Sequence, residues 1–120
     1  MKSPIVLAVN DLGFGGAQRT VIEEANELMR RGVRVYVLTT LIGGGRDLES
    51  LLLIPKERIV QIPFRSLYDR EGYRALIAFL KPLQPRVLSN LFFTNTILRV
   101  AKIFSPHFSV TIREGNIIRE

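Results

Sequence analysis

The chain has 120 residues, with 17 Lys and Arg against 11 Asp and Glu, giving a formal net charge of +6 at pH 7. At 47% hydrophobic and 23% charged residues it is apolar enough to fold as one domain around its own core, which rules out a disordered chain. The lack of cysteine excludes disulfides and thiolate metal sites, the single histidine, His107, leaves no histidine cluster for zinc, and no apolar run nears the ~20 residues that span a bilayer.

Ile5 to Val9 is an apolar run closed by Asn10-Asp11 and the glycines Gly13, Gly15 and Gly16. Apolar on both faces, it suits a strand in the middle of a sheet, and it is too short for a secretory leader. Ala17, Val21, Ile22, Ala25, Leu28 and Met29 follow at helical spacing, with Arg19, Glu23, Glu27 and Arg30 on the opposite face. Gly32 stands where a helix C′ glycine belongs. Val33 to Thr40, rich in β-branched residues, reads as a second strand ended by Gly43-Gly44-Gly45. The next stretch, Gly43 to Glu57, reads as a loop with one helical turn over Leu48–Leu53.

Arg58 to Ile62 is a short strand stopped by Pro63, and Ser66 is the expected cap of a helix carrying Tyr73, Leu76, Ile77 and Leu80 and ending near Pro82. Arg86 to Asn90 is a fourth strand. Thr94 to Phe104 is a helix with Ile97, Leu98, Ala101 and Phe104 inward, its neighbours Phe92-Phe93 anchoring it to the sheet. Phe108 to Ile112 is a fifth strand. Strands alternating with helices predict an α/β fold, a three-layer α/β/α Rossmann-like sandwich with a parallel sheet of about five strands. Of the 17 cations 13 are Arg, but they are scattered, and the aromatics fall at core positions. That pattern predicts a solvated mixed-charge surface and no nucleic-acid partner; attraction to a phosphorylated small molecule or an anionic membrane is the alternative.

Ligands of an open parallel sheet lie at the carboxyl ends of its strands. Here those ends are Asn10–Gly16, Thr39–Arg46, Pro63–Ser66, Asn90–Asn95 and Arg113–Asn116. Gly15-Gly16, between a strand and a helix, lets the backbone approach a ligand and leaves the first helical N–H groups free for an anion; a plain tight turn explains it as well. The dinucleotide pattern G-x-G-x-x-G fails at Gln18, and the second strand ends in Thr39-Thr40 with no carboxylate for a ribose. No Gly-Lys pair exists for a phosphate-binding P-loop. A phospho-receiver domain needs several acidic strand ends, and Asp11 has no such companions. His107 reads as a turn or surface residue, Arg113 and Glu114 as an ion pair or a ligand site, and Asn90 as a helix cap or a substrate contact.

Gly15-Gly16-Ala17-Gln18-Arg19, a helix, then Arg31 to Thr39 resembles the opening of a family 4 glycosyltransferase of GT-B fold, where Gly-Gly-x-Glu precedes a helix ending in a basic residue and glycine, and then a strand. Lys81-Pro82 to Asn90 is similar to that family's Lys-Pro, strand, Ser/Asn element, and Val110 to Asn116 to its fifth strand and following loop. Gln18 stands where Glu is usual, and Arg113 where many relatives place a histidine. The resemblance implies the acceptor-side, N-terminal half of a retaining enzyme that moves a sugar from a nucleotide-sugar donor to a glycan or lipid-linked acceptor. It places Gly15 and Gly16 against the donor diphosphate and Asn90, Thr94 and Asn95 towards the acceptor, with Arg113 and Glu114 as candidates for a catalytic role. The donor-gripping carboxylates of the family belong to a C-terminal half beyond Glu120, so the 120 residues are expected to be inactive alone. No cofactor or metal is expected. A homodimer, a cytoplasmic location and peripheral contact with the inner membrane face complete the expectations. A stand-alone binding module that keeps the fold without transfer is the competing reading, and an unrelated nucleotide-binding Rossmann domain a third.

Overall fold

The computed structural model describes residues 3–105 and 108–113. Five parallel strands, β1 (Ile5–Val9), β2 (Val35–Leu41), β3 (Ile59–Phe64), β4 (Arg86–Asn90) and β5 (Ser109–Arg113), form one sheet in the order β3-β2-β1-β4-β5. Three helices connect them: α1 (Gly16–Arg30), α2 (Arg70–Leu83) and α3 (Phe92–Phe104). The expected α/β sandwich is what the chain forms.

The chain runs leftward through β1, β2 and β3, then crosses back to β4 and β5. Right-handed crossovers therefore put α1 on one face of the sheet and α2 with α3 on the other. The period of two along β1 supplies both cores. Leu7 and Val9 pack with Val35, Val37, Val21, Ile22 and Ala25 on the α1 side. Val6 and Ala8 pack with Leu38, Val87, Leu76, Leu80, Ile97 and Leu98 on the other. Val6 to Val9 are fully buried, as an apolar run in a central strand requires.

Local signals explain most element ends. Gly32 has φ +80, and the Gly32 and Val33 amides donate to the carbonyls of Met29 and Leu28, a Schellman closure that only a residue at ease in the left-handed region completes without strain. Several boundaries differ from expectation. Asp69, not Ser66, caps α2: its Oδ1 accepts from the Gly72 amide at 3.0 Å, and its carboxylate outcompetes a hydroxyl that already receives the Tyr68 amide. The α2 helix does end near Pro82, as expected: Pro82 lies in its last turn, which Gln84 closes at φ 47. The helical turn expected over Leu48–Leu53 is there, as a 3₁₀ turn at Glu49–Leu51, and a second, unexpected one follows at Lys56–Arg58. The α3 helix begins at Phe92, two residues earlier than periodicity indicates, because its cap is backbone geometry at Leu91 with no capping side chain. Phe104, expected inward, is 72% exposed, and Phe93 packs on the core. His107 and Glu114 lie outside the described residues.

Candidate functional site

Every strand points its carboxyl end to the same rim, and three groups of residues meet there. The first is a clasp made by Asp11. Its Oδ1 accepts from Gln18 Nε2 of α1 at 2.9 Å and from the Gly13 amide at 3.4 Å; its Oδ2 accepts from the Gly45 amide at 3.0 Å. The Leu12 amide donates to the Gly45 carbonyl at 3.0 Å, and the Leu48 amide to the Leu12 carbonyl at 2.8 Å. One carboxylate thus laces the loop after β1, the first turn of α1 and the glycine loop after β2 into a unit. The approach is close enough that a Cβ on Gly44 would come within 2.5 Å of Asp11 Cβ, so glycine there is a requirement of space.

Gln18 belongs to this clasp, which explains what the departure from the usual Gly-Gly-x-Glu does in this chain. A glutamine amide donates to Asp11, whereas a glutamate would set two carboxylates against each other. Gly15 serves the same contact, since a Cβ there would collide with the Gln18 side chain. Gly16 is different: nothing lies within 4 Å of the position its Cβ would take, and it opens directly to the rim at the start of α1. No side chain caps α1, and its first turn carries no acidic residue. The positive end of the helix dipole and the leading amides are therefore left to solvent or a ligand.

The second group is a polar plug where β1 and β4 lie side by side and the chain leaves in opposite directions, the switch point of the sheet. Asn10 Oδ1 accepts from both the amide and the hydroxyl of Thr94, at 3.1 and 2.7 Å. The Thr94 hydroxyl meets that of Thr40 at 2.8 Å. Asn90 Nδ2 donates to the Ala8 carbonyl at 3.2 Å, and the Ser89 hydroxyl donates to Asn95 Oδ1 at 2.7 Å. Thr94 is fully buried, with Asn90 and Asn95 nearly so, and among the described residues no buried side-chain polar atom lacks a partner. The structure thus brings Asn90, Thr94 and Asn95 together, beneath the rim and bonded to protein. Asn90 does not cap α3. The cap is Leu91, held at φ 72 and ψ 150, a region that costs a branched residue ~1–3 kcal/mol and is offset here by packing of Leu91 on the α1-side core. Arg113 ends β5 on the same rim; Glu114 lies outside the described residues.

The third group is a groove on the β2–β3 side, built between two of the strand ends that the sequence picks out, Thr39–Arg46 and Pro63–Ser66. A cavity of about 390 Å³ is lined by Ile42, Gln61, Pro63, Arg65, Asp69 and Glu71, among others. A second, of about 240 Å³, shares Ile42, Gln61 and Pro63 with it and reaches Thr39, Gly43 and Gly44. Asp69 fixes the outer wall, because its two oxygens accept from the Gly72 and Arg65 amides, each at 3.0 Å. Those donors hold the Asp69 carboxyl below the ordinary aspartate range. Behind the groove, Arg46 grips Glu49 through two bonds of 2.6 Å and reaches Gln61 Oε1 at 3.4 Å. The hydrogen bond from Arg46 keeps Glu49 ionised to lower pH than usual. The sequence placed Thr39–Arg46 and Pro63–Ser66 at ligand-bearing strand ends, but nothing in it shows that they face each other, with the start of α2, across one cavity.

Among the described residues no helix is long and apolar enough to cross a membrane, and no cluster of three or more potential ligands could hold a metal ion. None of the curated proteins matches this chain. The family model described as Glycosyltransferase Family 4 matches residues 14–116, which runs from the Gly15-Gly16 loop through all of α1 to β5 and past it. That match covers most of the chain: the chain belongs to glycosyltransferase family 4.

Proposed function

We propose that residues 1–120 form the acceptor-side domain of a retaining glycosyltransferase that takes a sugar from a nucleotide-sugar donor to a glycan or lipid-linked acceptor. One observation carries this reading most: the Asp11 clasp presents two glycine loops side by side at the carboxyl ends of β1 and β2, next to the uncapped start of α1. The Gly15-Gly16 backbone offers N–H groups to the donor diphosphate, where the helix dipole favours negative charge. Asn90, Thr94 and Asn95 act on the acceptor indirectly, by holding the strand ends that line the rim in fixed positions. Arg113 and Glu114 remain the candidates for a direct role near the reacting sugar. Phe14 and Tyr68, 76% and 90% exposed on rim loops, favour peripheral contact with a membrane when the acceptor is lipid-linked.

Transfer demands that donor and acceptor be aligned together, a requirement worth up to ~7–11 kcal/mol of barrier. Residues 1–120 supply one wall of such a cleft, so donor affinity rests on a few amide–phosphate bonds in water, each worth ~0.5–1.5 kcal/mol. Calorimetric titration with UDP- and GDP-sugars, together with a radiolabelled-donor transfer assay, tests this. Weak donor binding without turnover is expected; turnover above the buffer rate would refute the division of labour. The competing reading, a binding module without transfer, gains nothing specific from the geometry.

A further inference from the structure

We propose that the groove between the Gly43–Gly44 loop and the start of α2 holds an uncharged sugar residue of the acceptor, set back from the Gly15-Gly16 loop. This rests on the acceptor-side reading above and adds where the acceptor lies and what chemistry it presents. The groove is continuous with the rim: its inner part touches Thr39, Gly43 and Gly44, and its outer part Arg65, Asp69 and Glu71. The outer part alone, at about 390 Å³, falls in the ~300–1,000 Å³ range of small-ligand clefts.

The lining matches hydroxyls better than it matches charge. Gln61 offers an amide, Arg65 a guanidinium fork and Glu71 a carboxylate, groups that donate to or accept from vicinal hydroxyls. None of the salt bridges among the described residues involves Arg65 or Glu71, so neither is locked in a direct ion pair, although the Arg65 charge, after the Arg65 and Gly72 amides, helps hold the Asp69 carboxyl low. One cation stands against the two carboxylates of Asp69 and Glu71, and that balance disfavours a phosphate or a uronic acid. Ile42 and Pro63 supply apolar surface for the C–H face of a pyranose ring. The walls are already in place: Asp69 pins the turn after β3, and the Tyr73 hydroxyl donates to the Leu67 carbonyl at 2.8 Å. Ordering costs on binding are correspondingly low.

The experiment is residue-resolved titration of the ¹⁵N-labelled 120-residue chain with cellobiose, maltose and mannobiose as neutral probes, and glucuronic acid and glucose 1-phosphate as charged ones. At least one neutral disaccharide should shift the amides of Ile42, Gly43, Gly44, Gln61, Arg65 and Glu71, with millimolar affinity. Arg65→Gln and Gln61→Leu, both at exposed positions, should each weaken that binding about threefold to tenfold. No groove shift with any neutral probe, or wild-type affinity in both variants, overturns the proposal. Charged probes binding there as tightly as neutral ones also overturn it. If sugars shift only the Gly15-Gly16 and strand-end amides, the groove assignment falls while the acceptor-side reading stands; if no saccharide shifts any rim amide, both fall.

Discussion

Replacing Asp11 with alanine removes the acceptor of three hydrogen bonds and tests whether the clasp holds the rim together. Two of the bonds are short, from Gln18 Nε2 at 2.9 Å and the Gly45 amide at 3.0 Å; the third, from the Gly13 amide at 3.4 Å, is marginal. Hydrogen bonds to a charged group net ~1.5–3 kcal/mol each when well buried, but the site is only half-buried and water replaces part of what is lost. About 1 kcal/mol for each short bond and a few tenths for the long one give a loss of ~2–2.5 kcal/mol. For a domain of this size that lowers Tm by ~8–12 °C. Asp11→Asn should cost about half as much, because one side-chain oxygen still accepts while the new amide faces a donor. Differential scanning calorimetry gives the totals, and amide hydrogen exchange should show protection lost first at Gly13 and Gly45. A drop below ~2 °C for Asp11→Ala, or unchanged exchange at Gly45, would mean the two loops are positioned by their backbone contacts alone.

Other outcomes follow from the same geometry. Gly44→Ala should destabilise the fold or displace the clasp, since its Cβ would meet Asp11 Cβ at 2.5 Å, whereas Gly16→Ala, with open space around it, should fold as well as the parent; equal melting curves for the two would contradict the reading. The Asp69 carboxyl is held low by the Arg65 and Gly72 amides, so its contribution is complete above the ordinary aspartate pKa near 3.8 and is lost as pH falls through the lower folded value. Acid titrations of Asp69→Asn should therefore lack part of the stability loss seen in the parent below pH ~4. Crystals grown in high phosphate should carry an anion on the amides after Gly15, and Gly16→Val should remove it without unfolding the chain; an anion-free loop with those amides bonded internally would favour a plain turn. Ile103 and Phe104, 77% and 72% exposed at the end of α3, predict self-association, which light scattering should detect and which serine at both positions should abolish.

The sheet was legible because its signals are local and redundant. Ile5–Val9 is apolar on both faces, Gly32 ends α1 as a left-handed residue must, and the glycines stand at the two loops that approach each other. What periodicity could not carry was competition between neighbours: Asp69 over Ser66 as a cap, or a backbone cap at Leu91 that starts α3 two residues early. Phe104 shows the limit of helical spacing, since the apolar stripe carries to the last residue of α3, where the side chain is exposed. At the site, the Gly15-Gly16 loop was recognisable from its glycines. The partnership of Asp11 with Gln18 and Gly45 was not, because it joins residues 7 and 34 positions apart. Asn90, Thr94 and Asn95 look like free polar groups in sequence, and only the sheet order reveals that the switch point folds them inward against Asn10, Thr40 and Ser89. The groove was legible only in part, as the strand ends Thr39–Arg46 and Pro63–Ser66, and not as one cavity. Its residues come from β3, the loops after β2 and β3 and the first turns of α2, which sequence spacing does not bring together.

The central claim is that the carboxyl-end rim is the working face and that it holds the donor only in part. Mapping amide shifts of the ¹⁵N-labelled chain on titration with UDP-glucose and GDP-mannose tests it most directly. The account predicts weak, unsaturated binding whose largest shifts fall on Gly15 to Gln18 and on Gly43 to Gly45, with the opposite end of the sheet unmoved. Micromolar saturation, or shifts centred on the amino ends of the strands, would contradict it.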